Sequence, residues 1–474
     1  MKKFYLLPLM LMAVLFTACS DKEDSYKNVI PQDAKALMRI DVKSSLETTG
    51  QSFDEFVKEF DKGLESAGVD GLSYEKLGID MEAPSYGFAT GTYPNITFGF
   101  VVKVKSREAL EKIFDDKLNA KSKKDKRDDF SIYELDDDEA YCGISEEAFL
   151  LLASPEKNKE LKSTLCKYLK AEDNDIEENA LFKRIEEKGA PFSIYAQSNL
   201  VSNDMLSMGI KATGLDFTAD ELASITIGGD MQQKGRIIDF NVWYEASNSS
   251  MQKKLDTYTK GLGVPNDKGL ELLTGQEVFA GVANISGEEI SNTIETIMST
   301  VKGVSSSDRE QAREFEALLN LFAGNVVGGL FGDFDEGPDG FIAAKSGDTS
   351  EKIYEYVQSE VEPYDWDEDG EYTKTYEKDG NSYIITSAYG SKEVIGYENG
   401  FSFFGNIKPV FRSSNQMPSE LVSMIKNNRV TLFMNLKALS ELILDEAPRM
   451  TRGQLDEAFD KALKEVDYFT ITLK

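Results

Sequence analysis

Apolar and polar residues alternate with a period of two along several stretches of the chain. Ala36, Met38, Ile40 and Val42 share one side of an extended segment, with Leu37, Arg39 and Asp41 on the other. Ile96, Phe98, Phe100, Val102 and Val104 alternate in the same way, as do Ile238, Phe240, Val242 and Tyr244. This pattern predicts half-buried strands of antiparallel type. Between them the period lengthens to that of a helix. Phe53, Phe56, Val57, Phe60 and Leu64 form one apolar stripe, and Leu110, Ile113, Phe114 and Leu118 another. Further stripes follow at Leu161, Leu165 and Leu169, at Ile290, Ile294 and Ile297, at Ile353, Tyr356, Val357 and Val361, and at Leu455, Phe459 and Leu463. Each stripe needs a sheet or another helix to cover it, so the expected fold class is α+β.

The two halves of the chain echo one another. Lys105-Ser106 and Glu111-Lys112-Ile113-Phe114 match Lys345-Ser346 and Glu351-Lys352-Ile353-Tyr354, 345 − 105 = 240 residues later. Gly99-Phe100 matches Gly340-Phe341, the strand from Ala36 matches that from Val278, and Phe192-Ser193-Ile194-Tyr195 matches Val430-Thr431-Leu432-Phe433. Ser224-Ile225-Thr226-Ile227 answers Thr470-Ile471-Thr472-Leu473. Local matches in one order, with offsets that drift by a few residues, point to a tandem duplication. The expected architecture is two similar units, each an antiparallel sheet with helices packed on one side. The first would run over 31–261 and the second over 265–474, joined through Gly261-Leu262-Gly263-Val264-Pro265, which has linker chemistry. Two charged stretches, Lys121 to Asp129 and Glu362 to Gly380, read as variable surface loops.

The start of the chain carries an address. Lys2 and Lys3 precede an apolar run from Phe4 to Phe16, then Thr17-Ala18-Cys19. Such a run is too short for a bilayer span, which takes about 20 residues, and it reads as a signal peptide over 1–18. Small residues before a cysteine at its end have the form of a bacterial lipobox, which makes Cys19 the expected lipidation site. Ser20-Asp21-Lys22-Glu23-Asp24, which follows within a tether over 19–30, resembles an acidic lipoprotein export signal, with a plain solvated tether as the alternative. The expected location is the outer membrane, facing the cell exterior.

Composition narrows the chemistry. The 474 residues include 53 Lys+Arg, 83 Asp+Glu and no histidine, for a formal charge of −30. Without imidazole there is no Ser-His-Asp or Cys-His triad and no His-ligated metal. The acidic excess opposes a phosphate backbone, so no nucleic-acid partner is expected. Cys142 and Cys166 remain after Cys19. They read as core residues of a strand and a helix, with a single disulfide as the alternative.

Taken in order, these features make the chain resemble an uncharacterised Bacteroidota lipoprotein family, known as domain of unknown function 4836. The residues that carry the resemblance are the lipobox and acidic tether, Ile30-Pro31-Gln32-Asp33-Ala34 leading into the first strand, and Leu77-Gly78-Ile79-Asp80 followed by Pro84. The resemblance implies an outer-membrane lipoprotein, and it brings no catalytic residues.

Motifs for catalysis are few. There is no Gly-Lys dipeptide for a P-loop and no Gly-x-Ser-x-Gly elbow. Ser73, Ser154 and Ser250 each stand three residues before a lysine, but no Lys-Thr-Gly accompanies them. Trp243 shares a strand face with Asp239, Asn241 and Glu245, either as an exposed contact or covered by a helix. Asp365, Asp367 and Asp369, with Gly370 next, open like an EF-hand-type calcium loop, although Tyr376 stands where the bidentate Glu belongs. A solvated acidic loop is the favoured reading and calcium the candidate cofactor. The expected function is a non-catalytic binding or accessory module at the outer membrane, with an envelope protein or glycan as ligand. A carboxylate-dependent glycan hydrolase and a passive structural lipoprotein are the alternatives.

Overall fold

The structure is a computed structural model, and it describes residues 25–66, 71–117, 124–126, 129–136, 139–170, 176–213, 217–259, 261–265, 269–285, 324–332, 339–345, 375–387, 390–412, 416–446 and 463–474. The chain has a mixed α/β fold with mostly antiparallel strand pairing. It divides into two compact units that interleave in sequence. One comprises Met1–Gly209, Phe217–Gln232 and Trp243–Met251, the other Ile210–Asp216, Gln233–Val242 and Gln252–Lys474.

The first unit contains β1 (Ala36–Ile40), β2 (Ser85–Thr92), β3 (Asn95–Lys103), β4 (Lys124–Lys126), β5 (Phe130–Asp136), β6 (Ala140–Ser145), β7 (Ala148–Ala153), β8 (Phe192–Gln197) and most of β9 (Ile225–Lys234). They lie in the order β9-β8-β1-β2-β3-β7-β6-β5-β4, all antiparallel. Its helices include α1 (Val42–Thr49), α2 (Phe53–Ser66), α3 (Arg107–Lys117), α4 (Leu161–Lys170) and α5 (Ala180–Lys188).

Helices cover both faces of this sheet, not one as expected. On one face Leu161, Leu165 and Leu169 of α4 and Leu181, Phe182 and Ile185 of α5 pack with Leu37, Phe88, Val101 and Leu150. On the other, α2 and α3 pack through Phe56, Phe60, Leu110 and Phe114 with Val102, Cys142 and Ile144. The reason lies in the central strands, which are apolar on both sides: Val101 and Val102 are adjacent and both buried. β1 also ends earlier than the alternation suggested. Asp41 caps α1 by accepting from Ser44 N at 2.8 Å, so Val42 begins a helix.

The second unit contains β10 (Ile237–Ala246) as far as Val242, β11 (Leu262–Gly263), β12 (Phe279–Ile285), β13 (Gly324–Phe331), β14 (Asp339–Lys345), β15 (Thr375–Asp379), β16 (Ser382–Thr386), β17 (Lys392–Glu398), β18 (Phe401–Gly405), β19 (Val430–Asn435) and β20 (Tyr468–Leu473). The antiparallel order is β20-β19-β12-β13-β14-β18-β17-β16-β15. β10 joins its β20 edge in parallel, and β11 pairs with the end of β12. Helices α6 (Ser419–Lys426) and α7 (Leu436–Glu446) flank β19. Leu421, Met424 and Ile425 of α6 enter a core with Val282, Val327, Phe403 and Phe433.

Both stretches expected as loops contain strand. Lys124–Lys126 pairs with β5 and Thr375–Asp379 with β16. Lys-Asp-Lys has no apolar alternation to reveal a strand; its pairing is supplied by the backbone of its neighbour. The helix stripes at Ile290 and at Ile353, and Leu455 and Phe459, lie outside the described residues, whereas Leu463 falls in a short described helical turn.

Candidate functional site

Arg39 and Asp41 stand on the polar side of the β1 alternation, yet both are buried. The ladder register explains how. Asp230, Ser193, Arg39 and Tyr86 lie side by side on β9, β8, β1 and β2. They face α5, which supplies Arg184 and Glu186, and the turn Ser25–Val29, which supplies Tyr26 and Lys27.

Arg39 donates from Nη2 to Asp41 Oδ2 at 2.6 Å and from Nη1 to the Ala190 carbonyl at 2.7 Å. Its Nε lies 3.2 Å from Glu186 Oε1, an ion pair without hydrogen-bond geometry. Glu186 also accepts from Tyr86 Oη at 2.7 Å and from Lys27 Nζ at 2.8 Å. Burial lowers the Arg39 pKa, but Tyr86, Asp41 and Glu186 more than offset it, so the guanidinium is held above its ordinary value. Burial, reinforced by Tyr26 and Glu186, pushes the Tyr86 phenol well above its usual range.

A second cluster adjoins the first. Asp230 accepts from Ser193 Oγ at 2.8 Å, Tyr195 Oη at 2.6 Å and Trp243 Nε1 at 3.1 Å. The Arg184 guanidinium stacks 3.4 Å above the Trp243 ring and pairs with Glu245. Trp243 is thus covered by a helix residue, the second of its two sequence readings. Burial, then the hydrogen bond to Asp230, raises the Tyr195 pKa.

In the second unit, Asp239 accepts from Thr470 and Thr472 at 2.9 and 2.8 Å, with Lys234 Nζ 3.4 Å away. These bonds bury the face of β10 that carries Asp239 and Asn241, the reverse of what its apolar alternation suggested. Glu277 accepts from Thr274 N, Thr274 Oγ1 and Gly275 N at 2.8 to 2.9 Å and closes the turn before β12.

In each cluster the carboxylates spend their lone pairs on donors of their own unit. Their chemistry is that of clasps between strands, a helix and a turn.

A different surface character appears on the sheet face of the second unit away from that core. Ile471, Leu432, Gly281, Gly328, Ile342 and Phe404 stand in one row across six strands. Ile342 and Leu432 are each 50% exposed and Phe404 45%. The first unit exposes Phe98, Ile194 and Ile227 on the corresponding side of its own sheet, while Phe53, Phe56, Met38 and Phe100 pack on the buried Ile40, Val42 and Leu46.

Cys142 and Cys166 are free thiols. Cys142 packs with α3, whereas Cys166 rides on α4 against the opposite sheet face, with the Gly143 backbone facing Leu165 and Leu169 between them. Cys19, Ser20, Asp21, Lys22, Glu23 and Asp24 lie outside the described residues, as do Asp365, Asp367 and Asp369. Among the described residues no cluster of three Cys, Asp or Glu is placed to hold a metal ion, and no helix is long and apolar enough to cross a membrane. The buried Arg39 network had no distinctive sequence signal beyond a charged pair in an otherwise apolar strand.

The class defined by these observations is a mixed α/β protein with mostly antiparallel sheets and internally satisfied polar clusters. No family model and no curated protein matches the chain. A solved structure, crystal form I of TP0453, is 11% identical, with 51% of this chain and 86% of that one covered at a TM-score of 0.26.

Proposed function

We propose that the protein is a lipoprotein of the outer membrane, anchored through Cys19, facing the cell exterior and acting as a non-catalytic binding or accessory module. The observation that carries the binding reading is the exposed apolar row of Ile342, Phe404, Leu432 and Ile471. Apolar surface of this kind marks interaction sites. The self-satisfied carboxylate clusters favour binding over hydrolysis, because a catalytic pair needs lone pairs free for substrate or water. Membrane attachment and the family resemblance rest on the lipobox, the acidic tether and the strand leader from Ile30. The partner class is an envelope protein or glycan, and calcium at Asp365, Asp367 and Asp369 is a cofactor candidate only.

The finer architecture we infer is a tandem duplication. In its support, nine strands follow one order in both units, with β20, β19, β12, β13, β14, β18, β17, β16 and β15 in the places of β9, β8, β1, β2, β3, β7, β6, β5 and β4. Tyr195 pairs with Leu37, and Phe433, at 433 − 195 = 238, pairs with Ala280. The first strands are then offset by 280 − 37 = 243, one residue more than their sequence match.

Crosslinking capture of the tagged chain from intact cells, with Cys19→Ala as the unanchored control, tests the function. A reproducible envelope partner found with the anchored form, and lost with Leu432→Lys and Phe404→Lys together, is the expected outcome. Recovery of lipid and abundant porins alone would refute the accessory role.

A further inference from the structure

We propose that Ser25–Lys35 is a docked strap that fixes where the lipid tether leaves the first unit, so that the unit hangs on a short leash. The inference rests on the reading of Cys19 as the anchor. It concerns how closely that anchor holds the protein.

The strap is built into the core. Tyr26, Val29, Ile30 and Ala34 are all buried, with Ile30 at 0% exposure. Tyr26 donates to the Pro84 carbonyl at 2.6 Å, and Lys27 pairs with Glu186 at 2.8 Å. Farther along, Gln32 donates to Glu178 at 2.7 Å. Asn179, whose Oδ1 caps α5, uses its Nδ2 to hold the carbonyls of Gln32 and Ala34 at 2.7 and 2.9 Å. Lys35 N then donates to Ala89 O at 2.8 Å, and the chain enters β1. The segment is fastened to β2 and to α5 along its length.

Fastening sets the reach. From Cys19 to Ser25 the chain advances six residues, which span at most about 20 Å when extended. Were the strap free as far as Ala36, seventeen residues would span about 60 Å. Docking the strap therefore cuts the maximum stand-off about threefold.

The test uses the full mature chain on a supported bilayer, with Cys19 acylation checked by intact mass. Neutron reflectometry reads the gap between headgroups and protein, and hydrogen exchange reads the strap. For the unaltered chain the expected gap is no more than about 20 Å. The amides of Ile30 and Ala34, bonded to Lys27 O and Pro31 O, should exchange about as slowly as those of β1. Tyr26→Ser with Ile30→Ser should release those amides and widen the gap while β1 to β3 stay protected. If that variant fails to fold, Lys27→Glu replaces it, with at least tenfold faster exchange at Ile30 expected. Rapid exchange of Ile30 and Ala34 in the unaltered chain, or an unchanged gap after their release, would overturn the strap. A chain without acyl mass at Cys19 would overturn the anchor instead, and the exchange data would still decide whether the strap is docked.

Discussion

Arg39 shows what a single charge does inside a sheet. Its guanidinium is held by Asp41, the Ala190 carbonyl and Glu186, and the two carboxylates also serve other elements, Asp41 by capping α1 and Glu186 by accepting from Tyr86 and Lys27. Truncating one member of a buried charged network leaves the others uncompensated, at a cost of about 3 to 5 kcal/mol. Arg39→Ala is accordingly expected to lower the unfolding free energy by that order, and Arg39→Lys to recover only part, since an ammonium cannot reproduce the fork. Equilibrium unfolding checks both. In the duplicated reading, Asp230, Ser193, Arg39 and Tyr86 correspond to Thr472, Thr431, Val282 and Val327, a row with no charge at all. Arg39 and Asp41 fell on the polar side of the alternation, which reports polarity and cannot report what a later helix will place above it.

Among the elements, α5 is the one on which most of these interactions converge. Its apolar stripe, Leu181, Phe182 and Ile185, seats it on the sheet, and its polar side presents Arg184 to Trp243 and Glu186 to Arg39. Asn179 starts the helix by accepting from Leu181 N and Phe182 N at 2.9 and 3.1 Å, and Gly189 ends it with φ of 55°, a conformation that side chains rarely adopt. Loss of an N-cap costs about 1 kcal/mol, and the two strap carbonyls held by Asn179 add to it. Asn179→Ala should therefore lower stability by about 2 kcal/mol in thermal or chemical unfolding. Asn179→Asp should retain the cap while losing the strap carbonyls. Helices α2, α3 and α4 were legible because their stripes repeat over several turns, whereas α5 was not read from the sequence. The edge strands β4 and β15 were not, because an edge strand takes its conformation from pairing and needs no apolar side.

Across the whole molecule, the buried tyrosines contribute to the response at alkaline pH. Burial, then the nearby Asp80 and Glu82, pushes Tyr74 up to about 12, and burial raises Tyr86, Tyr168, Tyr195 and Tyr468 as well. A phenol with a raised folded-state pKa keeps its proton in the native chain after the unfolded chain has lost it near 10. Its stabilising contribution is complete below pH 10 and declines as pH rises through about 12 for Tyr74. An alkaline titration followed by tyrosinate absorbance and circular dichroism should show a late fraction of tyrosines ionising together with loss of structure; early ionisation of all of them would contradict the burial. By itself the sequence determined the mixed α/β character, helices α2, α3 and α4, the absence of imidazole chemistry and the internal echo between halves, because each depends on local periodicity or on residue counts. The apposition of Arg39 with Glu186, of Arg184 with Trp243, and of the strap with α5 was decided by tertiary structure alone. Those partners are far apart in sequence, and only strand order and ladder register bring them into contact.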